Sequence, residues 1–503
     1  MTAAECNPPA VLTDKCLPAE RGFTPRVARL HERLQEAMLR RQESWRPASL
    51  AQDAETARLP LLLRRAQAAA RVLDQMPIEI AEDELLAGKS ARGGVIVRTA
   101  LPEFALPEEK ERAAAEGFSI SGGLSHKTPD YPSVLNKGLR AVIREIEAKE
   151  AEIAARPESA EKQEKLLWMQ AMRIECEAVI RLARRYADLA EALAQSAAPE
   201  RAAELREIAR VCRRVPEHPA RTFREAVQSM WMVHYAFFST NSSLSLGRID
   251  QYLGPFLERD LDEGRLSPEE AQELVDCLWI KFNDRGQILR ENWVTPGRYQ
   301  DHPWQAGYRW RTLTAEDASD AINHWGQNIL LSGIRPDGSD GTNRLTYLML
   351  NSQERFAFTS PVTTVRLHRG SPPELVRRVA EVLQKGGGMP FIDNDDAIIT
   401  AYQRLGVPPE DARDYSNSNC WETMIAGKSD QELIRGFNFL LILEWALNRG
   451  LTRCRGVQEG IDTGDPRGFA SFSDLMEAWK RQLDAYLEKS IDYIGSGYQG
   501  CSI

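Results

Sequence analysis

The sequence predicts an α/β fold in which short strands alternate with helices, as in a barrel or a layered sheet. Three apolar segments of strand length support this prediction: NILLSGI at 328–334, PVTTVRL at 361–367 and MPFI at 389–392. Helical patterns at Pro372–Gln384 and Pro408–Asp414 separate or follow these segments. The chain has 503 residues, of which 43% are hydrophobic and 27% charged, and this composition is that of a globular protein and excludes disorder.

The N-terminal part of the chain is predicted to be mainly helical after a loosely fixed lead-in. Residues 1–21 are rich in proline and form that lead-in. Thr24 and Pro25 have the pattern of an N-cap followed by proline at the first helical position. Apolar residues then recur at helical spacing, and a second helical pattern covers Leu59–Leu73.

Between residues 93 and 283 the pattern changes from strand to loop to helix. GGVIVRT at 93–99 predicts a strand, and the glycine and proline clusters at 100–132 predict a long loop or hairpin. A helical pattern extends over 134–213, with an apolar stripe from Met172 to Leu193. Two further helices are predicted at 219–238 and 268–283, and the first is apolar enough to be buried on all sides.

Charge, hydropathy and cysteine usage exclude several classes of function. The net charge is −9 with both signs interspersed, which argues against nucleic acid or an anionic membrane as the main partner. A signal-peptide pattern is absent at the N-terminus, and the most apolar stretch, Phe437–Leu447, is too short to span a bilayer. We therefore expect a cytoplasmic protein. The eight cysteines lack CxxC or Cys/His spacing, so we expect no disulfide framework and no metal site.

Four of the eleven tryptophans lie between Trp293 and Trp325. This segment either packs an inserted loop against the body of the protein or forms an aromatic cap over a site. In the second case the aromatic rings favour a bulky or cationic substrate.

The segment DARDYSNSNCWETMIAGKS at 411–429 carries the residues best suited to chemistry. Cys420 lies in a polar turn and Glu422 follows two residues later, so on extended backbone both side chains face the same cavity. A nucleophilic cysteine needs a nearby base, and no histidine lies beyond His368. The spacing alone leaves a catalytic and a structural role open for Cys420.

The chain resembles the glycyl radical enzyme superfamily, whose active-site loop has cysteine followed two residues later by glutamate, commonly as GCVEP with Gly-Lys further on. Here Asn419, Trp421 and Thr423 replace the glycine, valine and proline of that loop. Other segments resemble the family in the same order: RVARL, PIEIAEDELLAG (77–88), SHKTPDYPSVLNKG (125–138), AMRIECEAVIRLARRYADLA (171–190), RTFREAVQSMWMVH (221–234), SLGRIDQYLGPF (245–256), CLWIKFND (277–284), GGMPFIDND (387–395) and TGDPRGF (463–469).

This resemblance implies a ten-stranded α/β barrel of two antiparallel five-strand halves, surrounded by helices, with Cys420 on a loop inserted into the barrel. The barrel domain is expected to cover residues 22–490, followed by a tail at 491–503. A partner chain can be needed to complete the barrel, in which case the isolated chain exposes an apolar face.

The resemblance also implies the reaction class. A thiyl radical at Cys420 abstracts a hydrogen atom from the substrate, and Glu422 takes a proton from the neighbouring hydroxyl so that a leaving group departs. Asn419 in place of a second cysteine disfavours acyl transfer, and Asp430 and Glu432 are out of register with the acid of glycerol-type dehydratases. A dehydratase, a C–N or C–S lyase or a decarboxylase is expected. The structural alternative for Glu422 is a hydrogen bond that fixes the loop.

Further site residues follow from the same resemblance. His126 and Asp130 lie in a segment that contacts substrate in eliminating members, and Ser243 and Ser245 lie in another segment that lines the pocket. Trp421 is assigned to the same substrate pocket. The alternatives are a loop histidine with an aspartate cap in the first segment, and helix-end capping in the second.

The family's radical-bearing glycine lies in a C-terminal domain that this sequence is expected to lack. Ser496-Gly497-Tyr498 resembles the glycine loop in part, but the preceding Arg-Val is missing. We expect no directly bound cofactor. The glycyl radical would come from a partner subunit, in which a radical S-adenosylmethionine activating enzyme installs it, and the whole would be an oligomer. The alternative is a catalytically silent relative that binds a small molecule or regulates a full-length partner.

Overall fold

The computed structural model describes residues 22–38, 45, 47–50, 55–90, 101–115, 120, 127–240, 244–284, 327–358, 360–418, 421–429, 438–453 and 456–501. The predicted lead-in at 1–21, the predicted strand at 93–99 and the segment from Trp293 to Trp325 lie outside these ranges. Within the described ranges, every helix is too short or too polar to cross a lipid bilayer.

The described ranges contain sixteen α-helices. In chain order they are α1 Pro25–Met38, α2 Leu61–Gln75, α3 Pro107–Ala115, α4 Tyr131–Lys137, α5 Leu139–Ala154, α6 Ala160–Ala194, α7 Pro199–Arg214, α8 Phe223–Thr240, α9 Ile249–Asp262, α10 Pro268–Lys281, α11 Arg344–Phe356, α12 Pro373–Gln384, α13 Asp395–Arg404, α14 Pro409–Arg413, α15 Phe439–Leu447 and α16 Phe472–Cys501.

The same ranges contain nine short strands in four sheets. They are β1 Ile78–Glu79, β2 Lys89–Ser90, β3 Asn328–Ser332, β4 Val362–Leu367, β5 Phe391–Asn394, β6 Tyr415–Asn417, β7 Thr423–Ile425, β8 Leu451–Thr452 and β9 Val457–Gln458. The three apolar segments predicted as strands are therefore confirmed as β3, β4 and β5.

The chain divides into two compact units, residues 1–111 with 120–431, and residues 112–119 with 432–503. In the second unit β8 and β9 form an antiparallel pair. The indole nitrogen of Trp445 on α15 donates a hydrogen bond to the Thr452 hydroxyl over 2.8 Å, and its ring packs on Tyr486 of α16. These contacts give the second unit its own small core.

The helical part of the first unit agrees with the sequence patterns in most places. Helix α1 begins at Pro25 and buries Val27, Leu30 and Leu34. Helix α8 is buried on nearly all sides, as predicted. The pattern over 134–213 forms four helices, α4 to α7, rather than one block.

Two predictions about this helical part are wrong. Met172 and Leu193 on α6 are 44% and 36% exposed, because α6 packs against α2, α5 and α7 through small residues such as Ala178 and Ala190. The glycine and proline clusters at 100–132 predict a long loop or hairpin, but α3 lies within this segment. Pro107 at the first helical position and acidic residues in the first turn are start signals that outweigh the glycine and proline content.

The sheet that positions the site is parallel and has the order β3–β4–β5. Gly247 extends it beyond β3 through a parallel bridge to Ile329. One face carries Ile329 and Leu331 into the main apolar core with the helices. The opposite face carries Leu330, which packs against Tyr415 of β6. Alternation along the strands therefore gives the sheet a helix-covered face and a face turned to β6 and β7.

Strands β6 and β7 form an antiparallel hairpin in which Tyr415 is paired with Ile425 and Asn417 with Thr423. The turn of this hairpin, defined here as residues 418–422, contains the predicted catalytic pair. The base of the hairpin, defined as the end with Tyr415 and Ile425, is the opposite end.

Candidate active site

The described part of the turn holds Glu422 in a fixed position. The backbone N–H of Ser418 donates a hydrogen bond to the Glu422 carbonyl oxygen over 2.7 Å. The Ser418 hydroxyl also donates to Oε2 of the Glu422 carboxylate. Glu422 is half-buried, so its carboxylate is oriented by a neighbour on the same turn. Cys420 and Asn419 lie outside the described residues.

Trp421 adopts a backbone conformation that bulky residues rarely adopt. Its φ is 67°, in the left-handed region, where a residue other than glycine is disfavoured by about 1–2 kcal/mol. The Trp421 ring is 40% exposed and meets the Phe391 ring of β5 edge to face, with 4.5 Å between the centroids. The contact with Phe391 helps to hold Trp421 in this conformation.

A buried ion pair anchors the base of the hairpin. The Asp395 carboxylate accepts hydrogen bonds from Arg366 Nε over 2.8 Å, from the Tyr415 hydroxyl over 2.7 Å and from the Ile334 N–H over 2.7 Å. Arg366 also donates to the carbonyls of Tyr415 and Arg413. All three side chains are fully buried, so β4, α13 and the hairpin are joined by charge-assisted hydrogen bonds.

Polar contacts also join the sheet to the turn. Asn328 at the start of β3 donates through Nδ2 to the Ser418 carbonyl. Asn417 at the end of β6 donates through Nδ2 to Oδ2 of Asp393 on β5 over 3.0 Å. The start of β3 and the turn therefore lie together, and Asp393 lies beside the last residue of β6.

Ser245 is buried between these elements. Its hydroxyl lies 3.0 Å from the Asn328 carbonyl and 2.5 Å from the Asn417 carbonyl, and its N–H donates to the Lys127 carbonyl. Ser245 thus links β3 to β6 directly beneath the turn. A contact between Ser245 and substrate stays a prediction.

Asp130 lies at the other end of the hairpin from Glu422. It caps α4 by accepting a hydrogen bond from the Ser133 N–H over 3.1 Å, and it is exposed. Gly427, two residues beyond β7, has a positive φ, and a Cβ added to it would lie 3.0 Å from the Asp130 Cβ. Asp130 therefore acts as a helix cap, which was the alternative predicted for it. The predicted contact between Asp130 and substrate stays untested. His126 and Ser243 lie outside the described residues.

Five polar residues between the sheet and the hairpin are not predicted from the sequence. Asn328, Thr364 and Asp393 belong to the sheet, and Asn417 and Ser418 belong to the hairpin. Asn328, Thr364 and Asn417 are fully buried, and one oxygen on each has no hydrogen-bond partner within the described part of the chain. Burial raises the pKa of Asp393 above its usual value, although the hydrogen bond from Asn417 acts in the opposite direction. The signal available in the sequence was the presence of Asn328 and Thr364 among the apolar residues of β3 and β4.

A separate cavity of about 460 Å³ lies at the base of the hairpin and is lined in part by Arg248, Tyr252, Phe256, Asp414 and Ala426. The Arg248 guanidinium is already bound to Asp414 over 2.9 Å and to backbone carbonyls. We therefore assign Arg248 to the support of the hairpin.

Comparison with known proteins identifies relatives with this architecture. The family model described as pyruvate formate lyase-like matches residues 105–495. The trans-4-hydroxy-L-proline dehydratase of Clostridioides difficile is 33% identical over 76% of this chain and 46% of its own length. The isethionate sulfite-lyase of Desulfovibrio desulfuricans is 28% identical over 99% of this chain and 65% of its own length. The chain thus spans 46% to 65% of the length of these relatives.

Solved structures have the same fold. Hydroxyproline dehydratase from Clostridioides difficile with trans-4-hydroxy-L-proline bound matches with a TM-score of 0.75 and 25% identity, over 96% of this chain and 65% of its own. The structure reported for 1,2-propanediol dehydration in Roseburia inulinivorans matches with a TM-score of 0.74 and 29% identity, over 93% and 63%.

The fold, with a strained hairpin turn set against a parallel sheet, is that of the glycyl radical enzymes. The chain belongs to the pyruvate formate lyase-like family, within the lyase branch of the glycyl radical enzyme superfamily. The resemblance and the fold class predicted from the sequence are thereby confirmed. Among the described residues the strands form four separate sheets, and a closed ten-stranded ring is not traced in that part of the chain.

Proposed function

We propose that this chain carries the cysteine-bearing centre of a glycyl radical lyase that cleaves a C–O, C–N, C–S or C–C bond of a small substrate by radical elimination. The observation that carries the proposal is the position of Glu422, two residues after Cys420, with its carboxylate oriented by Ser418. Relatives named as dehydratases and as sulfite-lyases support an elimination.

The proposed reaction assigns one role to each residue of the pair. A glycyl radical supplies the oxidising equivalent by removing the hydrogen atom of the Cys420 thiol. The Cys420 sulfur then takes a hydrogen atom from a substrate carbon that bears a hydroxyl. Glu422 accepts the hydroxyl proton, and the substituent on the adjacent carbon leaves with the bonding electron pair. The product radical finally takes back the hydrogen atom from Cys420, so that the thiyl radical is regenerated.

Two other functions, radical decarboxylation and a catalytically silent role, are the alternatives to elimination. A relative named indoleacetate decarboxylase, from Tractidigestivibacter scatoligenes, is 28% identical over 66% of this chain, which keeps a radical decarboxylase as the second candidate. A catalytically silent relative is the third candidate, and the retention of both Cys420 and Glu422 argues against it.

The predicted partners are part of this proposal. We infer that a glycyl-radical-bearing subunit acts with this chain, together with a radical S-adenosylmethionine activating enzyme. Among the strands that the structure describes, β5 is the last of its sheet, and its Phe391 and Ile392 are 40% and 51% exposed. This apolar edge is suited to a partner. The oligomeric state and the cytoplasmic location stay predictions from the sequence.

The test is anaerobic reconstitution of the chain with a glycine-bearing partner polypeptide and the activating enzyme. We expect a doublet glycyl radical signal by electron paramagnetic resonance and turnover of a hydroxylated substrate. Cys420→Ala should keep the doublet and abolish turnover. Glu422→Gln should keep the doublet and lower turnover about 100-fold to 10,000-fold, the usual contribution of a positioned acid–base group. Glu410→Gln, at an exposed glutamate of α14, is the matched control.

The outcomes separate the candidates. A doublet with full turnover in Glu422→Gln would contradict the elimination mechanism and favour decarboxylation. Absence of the doublet with every partner polypeptide would contradict the split enzyme and support the silent relative.

A further inference from the structure

We propose that Asp393 and Asn417 form a subsite for an ammonium group, so that the substrate is a small amino alcohol whose hydroxyl faces Glu422 and whose ammonium binds Asp393. This inference rests on the proposed function and adds the substrate class to it. Three features of the described residues support it: buried oxygens without a hydrogen-bond partner, the position of these oxygens on the sheet and on β6, and the charge of the groups around them.

Three buried oxygen atoms near the hairpin lack a hydrogen-bond partner among the described residues. Oδ1 of Asn328, Oδ1 of Asn417 and the hydroxyl of Thr364 are buried and have no partner among the described residues. Buried polar atoms in folded proteins are nearly always paired, and an unpaired one needs an explanation. The Nδ2 groups of both asparagines are already used, toward the Ser418 carbonyl and Asp393. The remaining polar atom of each side-chain amide is Oδ1, which can only accept a hydrogen bond.

The strand register shows which side chains of the sheet face the hairpin. Register pairs Thr364 on β4 with Leu330 on β3 and with Phe391 on β5. Leu330 faces the hairpin, and Phe391 contacts Trp421 of the turn. Thr364 therefore faces the hairpin as well, and so does Asp393, two residues after Phe391. The unpaired oxygens of Asn328 and Thr364 and the Asp393 carboxylate thus lie on the sheet face that is turned to the hairpin, and Asn417 on β6 meets them from the hairpin through its hydrogen bond to Asp393.

The charged groups around Asp393 favour a cationic ligand. Asp393 is half-buried, and the hydrogen bond from Asn417 reaches only Oδ2. Arg366 is paired in register with Asp393 and attracts its carboxylate electrostatically, but the hydrogen bonds of its guanidinium go to Asp395 over 2.8 Å and 3.0 Å. Glu422 adds a second carboxylate at the turn. A surface that offers carboxylate and amide oxygens favours a cationic donor with several N–H groups and repels a sulfonate or carboxylate.

Binding to the full chain before radical activation tests this subsite without any turnover. Three two-carbon probes share one hydroxyl and differ only in the second group: ethanolamine, ethylene glycol and isethionate. By isothermal titration calorimetry we expect ethanolamine to bind about tenfold to a hundredfold more tightly than ethylene glycol, the range of a charge-assisted hydrogen bond. Isethionate should bind more weakly than either.

The variants assign the preference to Asp393. Asp393→Asn should reduce the affinity for ethanolamine about tenfold or more, to the level of ethylene glycol. Asp393→Ser is the second variant, and circular dichroism of both establishes that they are folded. Asp396→Asn, at an exposed aspartate on the same segment, should leave all three affinities unchanged.

Equal or tighter binding of isethionate, no binding of ethanolamine, or unchanged ethanolamine affinity in folded Asp393→Asn would each overturn the subsite. None of these results depends on the radical. A failure here is therefore distinct from a failure of the proposed lyase function, which the Glu422 and Cys420 variants decide.

Discussion

The guanidinium carbon of Arg366 lies 3.8 Å from the centre of the Tyr415 ring, and both side chains bind the carboxylate of Asp395. The cation, the aromatic ring and the carboxylate are fully buried. The β6–β7 hairpin is therefore attached to the sheet at its base by a charged cluster instead of by apolar contacts alone.

Removing one partner of this cluster should strongly destabilise the first unit. Arg366→Ala leaves the Asp395 carboxylate buried without its cation, and breaking a buried pair in this way costs about 3–5 kcal/mol. Tyr415→Phe removes only one hydrogen bond to a charged group, which costs about 2 kcal/mol. The free energy of unfolding in urea measures both. Lys428→Ala, at an exposed pair with Asp411, is the control and should not change stability. Equal effects of Arg366→Ala and Lys428→Ala would contradict the anchoring role.

Backbone conformation at two positions predicts opposite effects of exchanging alanine and glycine. Ala357 ends α11 with φ 49° and is exposed, so Ala357→Gly should stabilise the protein by about 0.5–1 kcal/mol because glycine adopts this region without strain. Gly138 has φ 75°, and a Cβ there would lie 2.6 Å from the Glu217 carbonyl oxygen. Gly138→Ala should therefore lower the melting temperature, whereas Ala357→Gly should raise it. Calorimetry of both variants in one buffer measures the two melting temperatures and checks that they change in opposite directions.

The fold could be predicted from the sequence where the periodicity is strong. The strands β3, β4 and β5 are short apolar runs between helical patterns, and α1 has a start signal and regular apolar spacing. The exposed ends of the stripe on α6 could not be predicted, because which face of an apolar helix is covered depends on its neighbours. Helix α3 was missed because its start signal lies within a segment rich in loop-forming residues.

The stability should depend on pH through Asp276, which is buried on α10. Burial raises the pKa of Asp276 to about 6, against the opposing effects of Arg355, Ser352 and Gln272. In the unfolded chain the pKa is about 3.9. The folded protein thus holds the extra proton between about pH 4 and pH 6, and this contribution to stability is lost as pH rises through that window.

Asp276→Asn removes this titration. Between pH 4 and pH 7 the stability of the wild type should therefore fall relative to that of Asp276→Asn, by about 2–3 kcal/mol. Urea unfolding of both proteins at several pH values gives the difference. Asp188→Asn, at an exposed site, controls for the added amide. A stability difference that does not vary with pH would show that Arg355 keeps Asp276 ionised in the folded protein.

The hydroxyl of Ser418 should matter for catalysis more than for folding. Ser418→Ala removes the donor to the Glu422 carboxylate while the backbone hydrogen bond between the two residues stays. We expect a fall in kcat of about tenfold or more, since loss of orientation weakens proton transfer. Ser418→Thr, which keeps the hydroxyl, should restore part of the activity. Steady-state kinetics of the reconstituted enzyme measures this, and an unchanged kcat in Ser418→Ala would contradict the role.

Only those residues of the site that are close together in the sequence could be predicted from it. Cys420 and Glu422 are two residues apart and lie within a motif, so their association needs no knowledge of the fold. Asp393 and Asn417 are joined by a side-chain hydrogen bond between β5 and β6, which lie in different sheets, and neither segment shows in its own sequence that it meets the other. The sequence places Asp130 in a segment predicted to contact substrate; the structure shows that it caps α4 and lies beside Gly427, and its contact with substrate stays a prediction.

The alternation of side chains along β6 restricts how this loop can change in length. Asn417 meets Asp393, and Tyr415 meets Asp395, only because the two lie on the same side of the strand. Deleting or inserting one residue between Tyr415 and Asn417 would turn one of these contacts to the opposite side. Natural or engineered variants of this protein should therefore accept changes of length within β6 only in steps of two residues, and the two-residue spacing of Cys420 and Glu422 should fix the length of the turn at 418–422 as well.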